Sequence, residues 1–92
     1  MAVTVRLPGT LRQWAGGQKL VEVQSSSVGE AINTLCDQYP GVAERVLDEE
    51  GRTRQFVNVY LNGEDVRVLD GPGTAVRDGD ELVIAPAVAG GS

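Results

Sequence analysis

The sequence predicts an α+β domain in which a mixed sheet of about five strands packs on one main helix. The prediction depends on short segments with period-two apolar alternation, on one longer segment with helical periodicity, and on a two-residue hairpin signal. A chain of 92 residues is long enough to bury one hydrophobic core and too short for two. We therefore expect a single domain over residues 1–92.

The first two predicted strands form a hairpin. Apolar and polar residues alternate in Ala2 to Leu7 and again in Lys19 to Gln24, as expected for strands with one buried face. The segment between them is long and ends in Gly16-Gly17, so we expect antiparallel strands with an extended connection. Trp14 lies in this connection, and we expect it to cover the core.

The main helix is predicted to begin at Ser27. Ser27-Val28-Gly29-Glu30 matches the capping box, in which the serine hydroxyl accepts from an early helix amide and the glutamate reaches back to the serine amide. An apolar stripe with helical spacing follows, formed by Val28, Ile32, Leu35, Cys36 and Tyr39. Pro40-Gly41 should end this helix, and Val42 to Leu47 could add a further helical turn.

The second half of the chain predicts three more strands. We expect a mobile surface loop over Asp48 to Gln55 and a strand over Phe56 to Leu61. Asn62-Gly63 is a strong two-residue hairpin signal, so Glu64 to Leu69 should return antiparallel. The following turn-rich segment, Asp70 to Asp80, has Ala75 and Val76 as its apolar anchors.

The last predicted strand, Glu81 to Pro86, follows a turn at Asp78-Gly79 and is apolar nearly throughout. Such a segment is typical of a central strand covered by its neighbours. The resulting order of elements fits the β-grasp arrangement, in which the first and last strands lie side by side and run parallel.

Composition excludes several classes of function. The chain has no histidine and one cysteine, Cys36, so Ser-His and Cys-His catalytic pairs, intramolecular disulfides and most transition-metal sites are ruled out. We expect no metal site, and we expect Cys36 to be a small buried hydrophobe. We therefore expect that this chain alone is not an enzyme.

The charge and hydropathy of the chain indicate its environment. A net charge of -5 opposes nucleic-acid binding. It could steer the domain toward a basic cleft on another protein, or it could serve only solubility. We find neither an apolar run of membrane-spanning length nor a secretion signal, so we expect a cytoplasmic protein that does not bind membranes.

The segment after Pro86 reads Ala87-Val88-Ala89-Gly90-Gly91-Ser92. It has no core-forming pattern and no large side chain, so we expect residues 87–92 to form a flexible C-terminal tail. Adjacent glycines lack Cβ atoms, so their backbone can extend through a narrow channel and can bend sharply.

Two segments carry a resemblance to a known family. Asp78-Gly79-Asp80-Glu81-Leu82-Val83-Ile84, followed by Pro86, Val88 and Ala89-Gly90-Gly91, resembles the ending of the ThiS/MoaD superfamily of ubiquitin-like sulfur-carrier proteins. Phe56 to Arg67, together with Gln18 after Gly16-Gly17, is most similar to the CysO branch.

The resemblance implies a carrier and not an enzyme. It implies that the Gly91 carboxylate, next to Gly90, is adenylated by an ubiquitin-activating-like adenylyltransferase and converted to a thiocarboxylate that donates sulfur. ATP and magnesium would be supplied at that partner, with no cofactor bound by this chain. A sulfur-accepting synthase is the second implied partner. The CysO resemblance favours cysteine biosynthesis through a pyridoxal-phosphate synthase, or a sulfur-containing metabolite, over molybdopterin or thiamin.

Ser92 departs from the family pattern, in which Gly91 is the terminal residue. We favour two explanations: a metalloprotease of the deubiquitinase type removes Ser92, or Ser92 is an artefact of expression. We prefer both to a third explanation, in which the tail is altered and inactive.

An alternative function is an ubiquitin-like interaction or modifier domain without sulfur transfer. For either function we expect partners to contact Pro86, Val88 and Ala89, with part of the strand Phe56 to Leu61.

Overall fold

Five strands form one mixed sheet within residues 1–86, the part of the chain that the computed structural model describes. The strands are β1 (Ala2–Arg6), β2 (Leu20–Gln24), β3 (Val57–Leu61), β4 (Glu64–Asp65) and β5 (Glu81–Pro86). Their spatial order is β2-β1-β5-β3-β4. β1 and β5 pair in parallel, and the other pairs are antiparallel. This topology confirms the predicted β-grasp arrangement with β5 at its centre.

Three α-helices accompany the sheet in the described residues: α1 (Gly9–Arg12), α2 (Val28–Gln38) and α3 (Pro40–Val46). Short 3₁₀ turns occur at Gln13–Ala15, Val66–Val68 and Gly71–Gly73. The predicted apolar stripe of α2 is buried at Val28, Ile32, Leu35 and Cys36, and Tyr39 is half-buried. The further helical turn predicted over Val42 to Leu47 is α3, which begins two residues earlier, at Pro40, and ends at Val46.

The start of α2 differs from the predicted capping box in one hydrogen bond. The Ser27 hydroxyl accepts from the Glu30 amide at 3.2 Å as expected, but the Glu30 carboxylate accepts from the Ser26 amide at 2.6 Å and not from that of Ser27. The Ser27 amide donates instead to the Ser25 hydroxyl at 3.2 Å. The hydrogen bonds that the Glu30 carboxylate accepts, first that of the Ser26 amide, hold the pKa of Glu30 below its ordinary value.

The return strand after Asn62-Gly63 is shorter than predicted. Asn62 and Gly63 have φ angles of 50° and 91°, as a type I′ hairpin turn requires. However, β4 ends at Asp65, because the Asp65 carboxylate accepts from the Arg67 amide at 2.9 Å and starts a 3₁₀ turn. Val66 thereby points into the core.

Two predictions for the connecting segments need correction or addition. Ala75 is exposed, so of the two expected apolar anchors only Val76 is buried. The segment after α3 is held by hydrogen bonds, since the Asp48 carboxylate accepts from the amides of Glu50 and Arg52, each at 2.9 Å. These bonds, first that of the Arg52 amide, lower the pKa of Asp48. The mobility of the loop Asp48 to Gln55 stays a prediction.

Candidate functional site

The residues predicted to react lie beyond the described part of the chain. Gly90 and Gly91, with Val88, Ala89 and Ser92, fall in residues 87–92. Pro86 is the last described residue, and its backbone pairs with Val57 at the end of β5. The structure therefore shows where the tail leaves the domain, a position that we call the tail root.

β5 leads to the tail root, and it is paired with β1 along Glu81–Val83 and with β3 along Leu82–Pro86. β1 runs beside it in parallel, with Val5 opposite Leu82 and Arg6 opposite Val83, and β3 runs antiparallel on the other side. Leu82 and Ile84 are buried among the core residues, at 0% and 1% exposure. Val83 and Ala85, on the opposite face of the sheet, are half-buried.

A groove of about 400 Å³ lies at the tail root. It is formed by the connection after β1, by α3, and by the chain entering β3. We call this cavity the root groove, and its lining residues are Pro8, Thr10, Leu11, Gln13, Trp14, Arg45, Phe56, Val57 and Ile84. Phe56 precedes the residue that pairs with Pro86, and its side chain is 52% exposed.

Trp14 and Arg45 form one wall of the root groove. The Arg45 guanidinium lies 3.6 Å from the centroid of the Trp14 ring, a cation–π contact, and it also donates to the Gly41 carbonyl at 2.9 Å. Trp14 packs against the start of α3, where a Cβ added at Gly41 would meet its Cε3 at 2.9 Å. Trp14 is 37% exposed, so part of its ring faces solvent.

The sequence prediction did not include Trp14 and Arg45 in a site. The two residues lie far apart in the chain, and their pairing follows from the packing of α3 on the connection after β1. The predicted partner contact of Phe56 to Leu61 stays a prediction, and these residues differ in their exposure. Phe56 opens onto the root groove, whereas Val57, Val59 and Leu61 are buried.

Carboxylates gather at the opposite end of β5 from the tail root. Asp78 and Asp80 lie in the turn before the strand, and the Asp80 carboxylate accepts from the Arg77 amide at 2.8 Å and from the Asn62 side-chain amide at 3.1 Å. These hydrogen bonds, that of the Arg77 amide first, hold the pKa of Asp80 below its ordinary value. Asp78 accepts from the Ala2 amide at 2.6 Å.

Cys36 is not part of the tail root. Its side chain is 6% exposed in the core, and burial raises the pKa of its thiol to about 11, with the neighbouring charge of Asp37 adding to the effect. The predicted role as a buried hydrophobe is confirmed. Within residues 1–86 no group of three or more acidic or cysteine side chains is placed to hold a metal ion.

A larger groove, of about 540 Å³, lies between α2 and the segments before β3 and after β4. Its walls are largely apolar, with Val28, Ile32, Val59 and Val66 among them. The sequence patterns indicated these residues only as core positions. None of the helices in the described segment has the length and apolar character needed to cross a bilayer.

The five-stranded sheet, the single long helix and the central C-terminal strand define a ubiquitin-like domain of the β-grasp class. The particular family follows from sequence: the ThiS family profile matches residues 5–91, and the chain belongs to the ThiS family. That match ends at Gly91, one residue before Ser92.

Three relatives illustrate the similarity. The sulfur carrier protein CysO of Mycobacterium tuberculosis is 46% identical over 93 residues, which cover 99% of this chain and 100% of the relative. A chain in the crystal structure of the Amycolatopsis orientalis BexX/CysO complex is 46% identical, with a TM-score of 0.87 over 98% of this chain and 100% of that chain. Small archaeal modifier protein 3 of Haloferax volcanii is 36% identical, over 99% of this chain and 100% of the relative.

These relationships confirm the resemblance to the CysO branch. They place the chain among small ubiquitin-like carriers and not among enzymes, and they support a sulfur-carrier role.

Proposed function

We propose that this protein carries sulfur as a thiocarboxylate on Gly91. The observation that carries the proposal is the ThiS family match, which extends to Gly91, on a chain that is 46% identical to a sulfur carrier protein along its whole length. The fold is compatible with this role, because the tail root continues directly from the central strand.

The proposed chemistry begins with a carboxylate, which is a poor electrophile until it has a good leaving group. A Gly91 carboxylate oxygen attacks the α-phosphorus of ATP on an ubiquitin-activating-like adenylyltransferase, and pyrophosphate leaves. A hydrosulfide or persulfide sulfur then attacks the carbonyl carbon of the acyl adenylate, and AMP leaves. With hydrosulfide, loss of the proton yields the thiocarboxylate directly. With a persulfide, a thiol must reduce the acyl disulfide that forms.

Gly90 and Gly91 suit this reaction because neither has a Cβ atom. A narrow channel to the ATP phosphates admits their backbone, and the backbone can take angles closed to other residues. Ser92 makes the Gly91 carbonyl an amide, so we propose that a metalloprotease of the deubiquitinase type removes it first.

We propose that the acceptor is a synthase that forms cysteine or a sulfur-containing metabolite, with a pyridoxal-phosphate cysteine synthase as the favoured type. The support is similarity to CysO proteins. The complex formed by the Amycolatopsis relative shows that a CysO chain assembles with another protein.

A second candidate is a protein modifier, in which the activated Gly91 is joined to a lysine amine of another protein. This candidate is favoured by the 36% identity to small archaeal modifier protein 3. Both functions use the same activation step, and they differ in the nucleophile that attacks the adenylate.

Intact mass measurement of the protein purified from its native cell tests the proposal. We expect loss of the seryl residue, followed by the mass gain that accompanies replacement of one oxygen by sulfur. Persistence of Ser92 without sulfur would count against the proposal, and recovery of the chain on other proteins through lysine would favour the modifier.

A variant tests the role assigned to the glycines. Gly91→Val should abolish the sulfur mass gain, since its side chain obstructs the channel, while circular dichroism shows an unchanged fold. Ala87→Val provides the matched control, because it adds a branched side chain outside the Gly-Gly pair. Normal sulfur loading of Gly91→Val would contradict the assignment.

A further inference from the structure

We propose that Lys19 is an internal acceptor for the activated tail. When the Gly91 carbonyl carbon carries a good leaving group outside a partner's channel, the ε-amine of Lys19 attacks it, and an isopeptide bond closes the chain into a ring. This modification site rests on the proposed function and deepens it, because it lies on the carrier itself.

Strong nucleophiles are few in this chain. Lys19 is the only lysine and Cys36 the only cysteine, and the sequence has no histidine. Cys36 is 6% exposed, and burial raises the pKa of its thiol to about 11, which withdraws the thiol from reaction. Lys19 is exposed. The amines that could compete for an activated Gly91 are therefore that of Lys19 and the α-amine of Met1.

Lys19 lies at the end of the sheet from which the tail leaves. The Lys19 carbonyl accepts from the Leu7 amide at 2.9 Å, just beyond the end of β1. The preceding residue, Arg6, lies opposite Val83 of β5, so Lys19 is level with the residue after Val83. Pro86 lies two residues further along β5. Lys19 and the tail root therefore share one end of the sheet, with β1 between them.

The separation is within the reach of the tail. Neighbouring strands lie about 4.8 Å apart, and a strand rises about 3.3 Å per residue. Two strand spacings sideways and two residues along β5 place the Cα atoms of Lys19 and Pro86 on the order of 12 Å apart. The chain from Pro86 to Gly91 spans at most about 18 Å. The Gly91 carbon can therefore reach Lys19 even before the length of the lysine side chain is added.

The α-amine of Met1 is out of reach. β1 and β5 are parallel, with Thr4 opposite Glu81, so Met1 lies at the other end of the sheet from Pro86. Met1 precedes Thr4 by three residues and Pro86 follows Glu81 by five, and the sum corresponds to about 26 Å along the strands. The tail spans at most about 18 Å, so only the amine of Lys19 is accessible to Gly91 of the same chain.

The reaction needs no further reagent. The neutral Lys19 amine forms a bond with the Gly91 carbonyl carbon, the bond from that carbon to AMP breaks, AMP leaves and the amine releases a proton to water. Both groups belong to one molecule, and a linker whose length matches the span gives an effective concentration in the millimolar range. The ring has no Gly91 carboxylate and cannot be loaded again, so sulfur transfer must precede release of the activated tail.

The test activates Gly91 without a partner. The chain ending at Gly91 is prepared as a C-terminal alkyl thioester by cleavage of an intein fusion. It is incubated at pH 9, because a lysine amine attacks only when it is neutral. Intact mass identifies the ring, which is lighter than the hydrolysed chain by one water. Nα-acetyl-lysine, added at increasing concentration, competes with Lys19 and measures its effective concentration.

Two variants separate the nucleophile from its position. Lys19→Arg keeps the charge and removes the amine. Lys19→Arg combined with Arg77→Lys keeps one lysine but moves it to the turn before β5, more than about 17 Å from Pro86. Thermal unfolding of each variant verifies the fold.

We expect wild type to form the ring at a rate that does not depend on protein concentration. Lys19→Arg should form none, and the double variant should form it about tenfold more slowly. With wild type, the ring and the acetyl-lysine adduct should be equally abundant at an acetyl-lysine concentration on the order of 1 mM.

Three outcomes would refute the inference: loss of the wild-type thioester by hydrolysis alone, equal ring formation by the double variant, or a product with the mass of two chains. The proposed function is judged separately, because the thioester needs no adenylating partner. Absence of sulfur from the protein of the native cell would refute the proposed function and leave the result for Lys19 unchanged.

Discussion

Replacing Gly41 by alanine should destabilise the protein through one contact. Gly41 is the second residue of α3, and a Cβ added there would lie 2.9 Å from Cε3 and 3.3 Å from Cβ of Trp14. The first distance is shorter than real Cβ contacts allow, so the indole must shift. The second involves an atom fixed to the backbone, so rotation of the ring alone does not relieve the contact.

Two opposing effects determine the size of the change. Alanine favours a helix over glycine by up to about 1 kcal/mol, whereas inserting a methyl group into a packed contact costs roughly 1–3 kcal/mol. We therefore expect the free energy of unfolding to fall by about 1–2 kcal/mol. For a domain of this size that corresponds to a melting temperature lower by roughly 4–16 °C.

A double-mutant cycle isolates the contact. Trp14→Ala removes the 2.9 Å contact with Cε3 and keeps the 3.3 Å contact with Cβ, so Gly41→Ala should be clearly less destabilising in this background than with Trp14 in place. Unfolding in urea should be followed by circular dichroism, because Trp14 is the only tryptophan and its fluorescence disappears in half of the cycle.

Gly9→Ala is the matched control. Gly9 is also in the first turn of a helix, and a Cβ there would have no neighbour within 4 Å. It should therefore show only the small helical gain. If Gly41→Ala proved as harmless as Gly9→Ala with Trp14 in place, the reasoning from the 2.9 Å contact would be wrong.

Two further predictions concern titratable groups. Cys36 has a thiol pKa of about 11, so at pH 8 only about one thiol in a thousand is ionised. We expect an aromatic disulfide reagent to modify it rapidly only in denaturant, and fast modification of the native protein would contradict its burial. Asp80 has a lowered pKa in the folded state, so its stabilising contribution is present above the unfolded value of about 3.9 and is lost as pH falls through the native pKa. Asp80→Asn should therefore lower the free energy of unfolding at pH 7, and the difference from wild type should shrink by pH 3, whereas a difference independent of pH would exclude this role.

The order of strands and the main helix could be predicted because each has a local signal. The alternation in β1 and β2, the serine at the start of α2 and Asn62-Gly63 each act within a few residues. The parallel pairing of β1 with β5 followed from the order of elements and from the dense apolar composition of β5, which fits a central strand.

The short β4 could not be predicted because two local signals conflict there. Val66 and Val68 continue the alternation of a strand, while the Asp65 carboxylate offers the Arg67 amide a hydrogen bond that favours a turn. The turn buries Val66 and leaves Val68 75% exposed, so alternation alone gave the wrong length.

The site could be predicted only in part. Gly90 and Gly91 were found from the order of residues, and their reactivity stays a prediction. The root groove has no linear signal, because Trp14, Arg45 and Phe56 come from three separate segments. Arg45 stacks on the Trp14 ring only because α3 packs on the connection after β1, so the sequence alone does not reveal this contact.

The central position of β5 has a mechanical consequence for the proposed function, in which partner proteins hold the segment after Pro86. Tension applied beyond Pro86 pulls along β5, and it loads in shear the hydrogen bonds to β3 and, further from Pro86, those to β1. An edge strand under the same load would peel away one bond at a time. The domain can therefore be held and drawn by its tail while its core stays assembled.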